Sequence, residues 1–378
     1  MLVLKPDFLY RLASYPLIEP IGDTHWFTAK APIRGADSAQ PLEPAPALRL
    51  GHPDFLAPLV KQLEAEGTYA LLVMHRGELV VEHYHRYARD NQSNSKSLMK
   101  TVLALLLGIA QAEGRLEVTQ AAADFLPEWR GDKRRHITIE HLLTMQSGLR
   151  SDLAVPGSYL LPDLLPLYFA ADVGRVALGI PAVAAPGAYW EYNNVNSQVL
   201  GIVLERATGS PYADYLSEKL WQPLGCSDAQ VGLDRRQGTA RTFATLFARA
   251  QDWLRVGELI RCNGLHGDRQ LVPADWIRRM EVPRNADGDY GYHIWLKAHR
   301  TRSVRGIPAA QHFMASEDFV DPDTVYLEGM HGQTVCISRH HELVALRIGR
   351  KPRHANWDSS HLFNTLLREV IGGTAPSA

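Results

Sequence analysis

The chain has 378 residues, and its 40 Lys and Arg residues nearly balance 41 Asp and Glu residues, which leaves a net charge of −1 at pH 7. Because no basic surplus is present, we expect neither nucleic acid nor an anionic membrane surface as a partner. The chain is longer than a single small core requires, so its length predicts two joined lobes or one large domain with an insertion.

Neither export nor a membrane-spanning segment is expected from the sequence. Residues 1–15 lack the charged start and unbroken apolar core of a signal peptide. The longest apolar run, residues 102–110, is far shorter than the roughly 20 residues that cross a bilayer. Cys226, Cys262 and Cys336 are odd in number and widely spaced, which argues against a disulfide framework. We therefore expect a soluble, cytoplasmic protein.

The N-terminal part of the chain is predicted to contain an extension, a helix and a β-hairpin. Residues 1–54 are interpreted as an extension or linker because their second half is rich in Pro, Ala and Gly. Apolar residues recur at helical spacing in 55–66. Two β-rich runs follow at 69–74 and 79–85, and Arg76-Gly77 between them is typical of a hairpin turn.

The rest of the chain is predicted to form helices followed by strands. Helices are predicted at 137–143, at 196–208, where Gly209 ends the pattern, and at 362–371. Strands are predicted at 291–296, 324–327, 334–338 and 343–348. The early hairpin and these late strands predict an α/β fold of the α+β type: one antiparallel sheet built from both chain ends and flanked by helices, with an all-helical lobe beside it.

This pattern also predicts a division of the chain into units. An α/β sheet domain is expected from residues 55–120 together with 270–372. The all-helical lobe is expected at residues 121–269. It would interrupt the sheet domain as an insertion.

The most informative short pattern is Ser97-Leu98-Met99-Lys100, at the start of a strongly apolar predicted helix. Residues three apart share a helix face, so the Lys100 nitrogen can reach the Ser97 hydroxyl. A serine hydroxyl attacks carbonyls poorly unless a base takes its proton, and a buried lysine can act as that base. A second match, Ser93 to Lys96, lies in a polar run interpreted as a loop. Alone, the pattern also fits a capping serine beside a snorkelling lysine.

Several motifs in order resemble the serine β-lactamase and penicillin-recognising superfamily. They are Ser97-Leu98-Met99-Lys100-Thr101, Gly108-Ile109-Ala110, residues 137–149, Tyr192-Asn193-Asn194 and residues 200–209. The nearest branch is the class C-like esterases and the hydrolases of 6-aminohexanoate oligomers. The resemblance implies a β-lactamase/transpeptidase-like fold. The register of Gly108 selects Ser97 over Ser93.

The resemblance also implies roles for four residues. Ser97 would be the nucleophile, and Lys100 would help to remove its proton. Tyr192 would relay protons to the leaving group and from the deacylating water. Asn194 would position the substrate amide or the lysine. Taken singly, Tyr192 and Asn194 would rather be interpreted as an aromatic core residue and a turn residue; their order behind Ser97 and Lys100 favours the functional roles.

The third family element, Lys-Thr-Gly or His-Thr-Gly on the strand beside the site, is altered in this chain. The matching stretch is taken as Gly329-Met330-His331-Gly332-Gln333, which places Met330 where the family has a cation. Substrates with a free carboxylate are therefore less expected, although His331 is a partial substitute. Gly332 would let substrate approach the strand, and the Gln333 amide would join that of Ser97 in an oxyanion hole. For His331 and Gln333, a simple turn at a strand start remains open.

These observations predict a serine hydrolase that forms an acyl-enzyme on Ser97 and cleaves a small-molecule ester or amide. The alternatives are a β-lactamase or D-amino-acid peptidase, and a non-catalytic binding member of the fold. No cofactor is expected. No metal is expected either, because His83 and His85 share a strand face without an evident third ligand. The sequence does not indicate an oligomeric state.

Overall fold

A computed structural model of the chain describes residues 6–16, 21–22, 24–43, 53–151, 163–298, 315–350 and 357–372. The predicted extension, residues 1–54, therefore lies partly outside the described residues. None of the helices within these ranges is long and apolar enough to cross a membrane.

The described residues form eleven strands and eleven α-helices. The strands are β1 (Lys30–Ile33), β2 (Thr68–His75), β3 (Glu78–Tyr84), β4 (Ser93–Asn94), β5 (Ala229–Gly232), β6 (Leu246–Ala248), β7 (Leu265–His266), β8 (Arg269–Gln270), β9 (Val325–Gly329), β10 (Gln333–Ser338) and β11 (Leu343–Gly349). The helices are α1 (Pro6–Ser14), α2 (Leu56–Ala65), α3 (Met99–Ala112), α4 (Ile139–Leu143), α5 (Leu164–Phe169), α6 (Val173–Gly179), α7 (Asn194–Thr208), α8 (Tyr212–Leu216), α9 (Ala250–Arg261), α10 (Ala274–Met280) and α11 (Ser359–Gly372).

The largest sheet has five antiparallel strands in the order β3-β2-β11-β10-β9. Strands from both chain ends thus share one sheet, as the sequence predicts. The hairpin between β2 and β3 turns at Arg76 and Gly77, whose φ angles of 55° and 78° suit the tight turns that match strand twist. This predicted hairpin is confirmed.

Helices cover both faces of this sheet. Successive side chains of β2 point to opposite faces of the sheet. Leu71 and Val73 therefore pack with α2 and α11 on one face, whereas Leu72 packs with α3 and α9 in the larger core on the other face. Gly257 on α9 fits against the sheet because a Cβ there would lie 2.6 Å from Val344 Cγ1. Helix α3 is buried from Met99 to Ala110, which explains its continuous apolar sequence.

A second, smaller sheet was not predicted. It has four short strands in the order β1-β5-β6-β4. Strands of two to four residues are too short to show an alternating pattern. Strands β5 and β6 lie within residues 121–269, so the lobe predicted there is not all-helical. Ser93 pairs with Ala248 in this sheet, and its assignment to a polar loop was therefore wrong.

The predicted strand at 291–296 was also wrong. The segment is a tight turn closed by an antiparallel bridge between Tyr290 and Trp295. Gly291 is required there because a Cβ would lie 1.8 Å from the Met280 carbonyl oxygen. His293 adopts a φ of 52°, which a strand does not allow.

Candidate active site

Ser97 and Lys100 are joined at the start of the central buried helix. Ser97 lies in a 3₁₀ turn, Lys96–Leu98, that leads directly into α3. Lys100 Nζ lies 2.8 Å from Ser97 Oγ and donates a second hydrogen bond of 2.7 Å to the Phe243 carbonyl oxygen. The lysine side chain is buried with 2% of its residue surface exposed. The helix therefore holds the amine against the hydroxyl in a site largely shielded from water.

The second Ser-x-x-Lys match, Ser93 to Lys96, does not place its lysine against its serine in this way. Lys96 is buried in a left-handed conformation with φ 52°, and its Nζ lies 3.4 Å from the hydroxyl of Tyr168. Ser93 lies within the small sheet. The residue before Ser97 thus takes a conformation that is rare for a lysine, and such strain often occurs at functional sites.

The structure brings Tyr192 to the same place. Lys100 Nζ lies 5.1 Å from the centre of the Tyr192 ring. This ring stacks on Trp295 at 5.9 Å with an interplanar angle of 18°, and Tyr290 meets it edge-on at 6.1 Å. Aromatic neighbours on two sides therefore fix the ring beside the lysine.

Asn194 lies close by, as the first residue of α7, and is partly buried. Its neighbour Asn193 is the N-cap of this helix: its side-chain oxygen accepts from Val195 N and its amide donates to the Arg150 carbonyl. The middle residue of the Tyr-Asn-Asn motif thus has a structural role, whereas a substrate-directed role for Asn194 remains a prediction.

The end of β9 lies directly against the nucleophile, but the glycine that makes this contact is Gly329. A Cβ built on Gly329 would lie 2.6 Å from the Ser95 carbonyl oxygen and 3.1 Å from Ser97 N. Gly332, chosen from the sequence, packs elsewhere: its φ is 76°, and a Cβ would lie 2.3 Å from Trp357 Cγ. The expected role of Gly332 in substrate approach was therefore wrong.

Leu327 and Glu328 precede Gly329 on β9, and Leu327 is fully buried. Gln333 is the register partner of Gly329 on the neighbouring strand, and its side-chain amide bonds with both backbone groups of Gly349. The predicted oxyanion donor was the backbone N–H of Gln333, but β10 lies between β9 and β11, so this group faces a neighbouring strand and the prediction is not supported. His331 is a partly buried turn residue with φ 73°.

His293, which no sequence motif indicated, lies buried near Lys100. Its burial, and next the nearby charge of Lys100, lower the pKa of His293 to about 3. The ring is therefore neutral at ordinary pH. Its Nδ1 lies 2.9 Å from the Leu143 carbonyl oxygen and its Nε2 lies 3.0 Å from Ser197 Oγ. Because a carbonyl only accepts, Nδ1 donates and Nε2 accepts from the serine hydroxyl.

The two strand histidines meet an acidic side chain. Glu64 Oε1 lies 2.9 Å from His83 Nε2 and 3.2 Å from His85 Nδ1. The sequence had not placed a carboxylate there. Across the described part of the chain, no three His, Cys, Asp or Glu side chains form a group able to hold a metal ion.

Comparison with known proteins assigns the family. Residues 56–351 match the Beta-lactamase family model, so the chain belongs to the Beta-lactamase family. It is 24% identical over 351 residues to the 6-aminohexanoate-dimer hydrolase of Paenarthrobacter ureafaciens, covering 85% of this chain and 82% of that enzyme. It is 33% identical over 144 residues to esterase EstB of Burkholderia gladioli, covering 35% of this chain and 36% of EstB. The chain is thus a member of a hydrolase family that includes esterase and amide-hydrolase relatives.

Solved structures confirm the predicted fold. A Bacillus anthracis protein with the provisional name 6-aminohexanoate-dimer hydrolase superimposes with a TM-score of 0.72 at 19% identity, covering 98% of this chain and 94% of that one. A family VIII carboxylesterase superimposes with a TM-score of 0.62 at 16% identity, covering 88% and 99%. The β-lactamase/transpeptidase-like architecture is therefore shown, while the division into an extension, a sheet domain and a helical lobe remains a prediction.

Proposed function

We propose that this protein is a serine hydrolase that forms an acyl-enzyme on Ser97 and cleaves a carboxylic ester or a small amide. The observation that carries the proposal is the 2.8 Å contact between Lys100 Nζ and Ser97 Oγ in a buried site. A nucleophile within hydrogen-bond distance of a base is the arrangement that covalent catalysis requires.

The chemistry assigned to these groups has two halves. In acylation, Ser97 Oγ bonds to the substrate carbonyl carbon while its proton passes to Lys100 Nζ. The bond to the leaving alcohol or amine then breaks, and Tyr192, whose ring lies 5.1 Å from Lys100 Nζ, delivers a proton to that group. In deacylation, water gives a proton to Tyr192 as it attacks the carbonyl carbon, the bond from that carbon to Ser97 Oγ breaks, Lys100 returns its proton to Oγ, and a carboxylic acid leaves.

We assign the oxyanion site to the backbone N–H groups of Ser97 and Met330. In β9, Tyr326 exchanges hydrogen bonds with Trp295 on the strand edge that faces away from β10. Groups two residues apart share an edge, so the N–H of residue 330 continues on this side, directly beyond Gly329. A carbonyl oxygen between these donors would gain stabilisation as its negative charge develops.

The substrate class follows from what borders the serine. Because Gly329 lies beside Ser97, we place the Lys-Thr-Gly match at Leu327-Glu328-Gly329; Leu327 then takes the place of the family cation, and the strand supplies no ammonium for a substrate carboxylate. This favours neutral esters and simple amides over penicillins or peptides with a free acid. Amide cleavage is the second candidate, because a relative that matches 85% of this chain is a 6-aminohexanoate-dimer hydrolase.

Labelling with a fluorophosphonate tests the proposal. We expect one adduct, located on Ser97 by mass spectrometry, and a burst of p-nitrophenol from a p-nitrophenyl ester. Ser97→Ala should abolish both, while Ser93→Ala, a change in the small sheet, should retain both. A Ser97→Ala protein with full activity would exclude the mechanism. A folded wild-type protein that no serine-directed probe labels would favour the non-catalytic binding alternative.

A further inference from the structure

The tight turn at residues 290–295 contacts α3, which carries Lys100, and also the ring of Tyr192 and strand β9. Trp295 exchanges two backbone hydrogen bonds, of 3.0 and 2.9 Å, with Tyr326 on β9, the strand that ends beside Ser97. Its indole stacks on Tyr192. Two residues before Trp295, His293 lies between α3, α4 and α7. The turn thus touches the strand, the tyrosine and the helices at once.

His293 is bonded in three directions. Its carbonyl oxygen accepts a 2.6 Å hydrogen bond from Thr101 Oγ1, and Thr101 directly follows Lys100 on α3. Its Nδ1 donates to the carbonyl of Leu143, the last residue of α4. Its Nε2 accepts from Ser197 on α7, the helix that begins two residues after Tyr192. One buried residue therefore connects the lysine helix with the helix that follows the tyrosine.

This set of bonds requires one state of the ring. Ser197 can donate only to an unprotonated Nε2, and the Leu143 carbonyl needs a protonated Nδ1. A charged imidazole would break the bond to Ser197 and place a second positive charge near Lys100. The left-handed backbone of His293, with φ 52°, is uncommon for histidine and persists here in a fully buried position.

We propose that His293 is a positioning residue that, as a neutral imidazole bonded to Leu143 and Ser197, fixes the separation between Lys100 and Tyr192. This inference rests on the proposed hydrolase function. Proton transfer between the two side chains is sensitive to their geometry, and a displacement of about 1 Å can cost about 100-fold in rate.

Two substitutions of His293 separate positioning from packing. Asn retains a donor at the place of Nδ1 and tolerates a positive φ, so His293→Asn loses only the bond to Ser197. Leu fills the space and loses both bonds. His75→Asn is the matched control, since His75 is a buried histidine at the end of β2, at the opposite end of the sheet from Gly329.

The measurement is kcat and KM for a p-nitrophenyl ester per Ser97 site titrated with fluorophosphonate. We expect kcat to fall about 3- to 10-fold in His293→Asn and about 100-fold in His293→Leu, with KM within about threefold of wild type. His75→Asn should leave kcat per site unchanged. Ser197→Ala breaks the same bond as His293→Asn, so it should lower kcat equally, and the double variant should be no slower than either.

The outcomes distinguish this inference from the proposed function. If wild-type protein is not labelled, the proposed function fails and the role of His293 fails with it. If wild type is labelled but His293→Leu turns over at the wild-type rate per titrated site, only the positioning role is overturned, whatever happens to the melting temperature. If His293→Leu does not fold, His293→Asn and Ser197→Ala decide: wild-type kcat in both overturns the proposal, and equal, non-additive losses support it.

Discussion

Gly329 and Ser97 are in such close contact that no side chain fits between them, since a Cβ on Gly329 would lie 3.1 Å from Ser97 N and 2.6 Å from the Ser95 carbonyl. Gly329 does not have a positive φ, so glycine is required here because a side chain would not fit, not because of the backbone conformation. This contact joins the five-stranded sheet to the start of α3 and sets where the strand backbone lies relative to the nucleophile.

Gly329→Ala should therefore separate β9 from Ser97. We expect kcat/KM for an ester to fall about 100-fold, because the oxyanion donors move relative to the serine. Gly131→Ala is the control, as nothing lies within 4 Å of a Cβ there and its φ is not positive. Steady-state kinetics on folded proteins of both variants test this. Equal activity in the two variants would argue against our placement of the oxyanion site.

Lys100→Met should separate activity from stability. Without the amine, acylation of Ser97 should slow by about 1,000-fold or more. Methionine removes the burial cost of the polar amine and keeps an apolar stem, which offsets the lost hydrogen bond to Phe243, so the melting temperature should change by no more than about 5 °C. Rapid-mixing burst kinetics and thermal unfolding provide the two measurements. Lys219→Met, at an ion pair with Glu113 near the far end of α3, should leave the burst unchanged.

Tyr192→Phe should affect amides more than activated esters. An amide nitrogen must gain a proton before it leaves, whereas p-nitrophenolate leaves without one. We expect kcat/KM, which reports acylation, to fall about 100-fold for an anilide and less than about 10-fold for the matching p-nitrophenyl ester. Equal losses on both substrates would contradict the assignment of Tyr192 as proton donor. Tyr84→Phe serves as the control and should change neither rate, because Tyr84 lies on β3, at the edge of the five-stranded sheet opposite β9.

Acid should destabilise the protein partly through His293. Burial and the charge of Lys100 lower the pKa of His293 to about 3, below its ordinary value of 6.5. Between these values the unfolded chain binds a proton that the folded chain does not. The contribution of the neutral His293 to the free energy of unfolding is therefore complete above pH 6.5. As the pH falls towards 3, the free energy of unfolding decreases by up to about 1.4 kcal/mol for each pH unit.

Urea unfolding at pH 7.5, 5.5 and 4.5 tests this pH dependence. The free energy of unfolding of wild type should fall more steeply on acidification than that of His293→Asn, which has no imidazole to protonate on unfolding. Parallel pH dependences for the two proteins would show that His293 does not hold a depressed pKa in the folded state.

Sequence patterns predicted correctly those features that depend only on residues close together in the chain. The hairpin at Arg76-Gly77 and the end of α7 at Gly209, with φ 70°, were both predicted, because glycine and its neighbours set these turns without distant contacts. Ser97 and Lys100 are three residues apart on a helical segment, so their proximity was also predictable from spacing.

Distant contacts decided the features that were predicted wrongly. Gly329 and Gly332 look equivalent in the sequence, and only the positions of Ser97 and Trp357 show which glycine faces the nucleophile. The alternating residues around His293 suggested a strand, but bonds to Thr101 and Ser197 hold a turn there instead.

The sequence by itself determined the family, the sheet built from both chain ends and the serine-lysine pair, because each depends on patterns within a few residues or on an ordered series of motifs. Only the tertiary structure decided which strand residue lies beside Ser97 and that His293 links the lysine helix to α7. These are contacts between segments more than 90 residues apart, and packing in three dimensions, rather than local backbone preference, selects them.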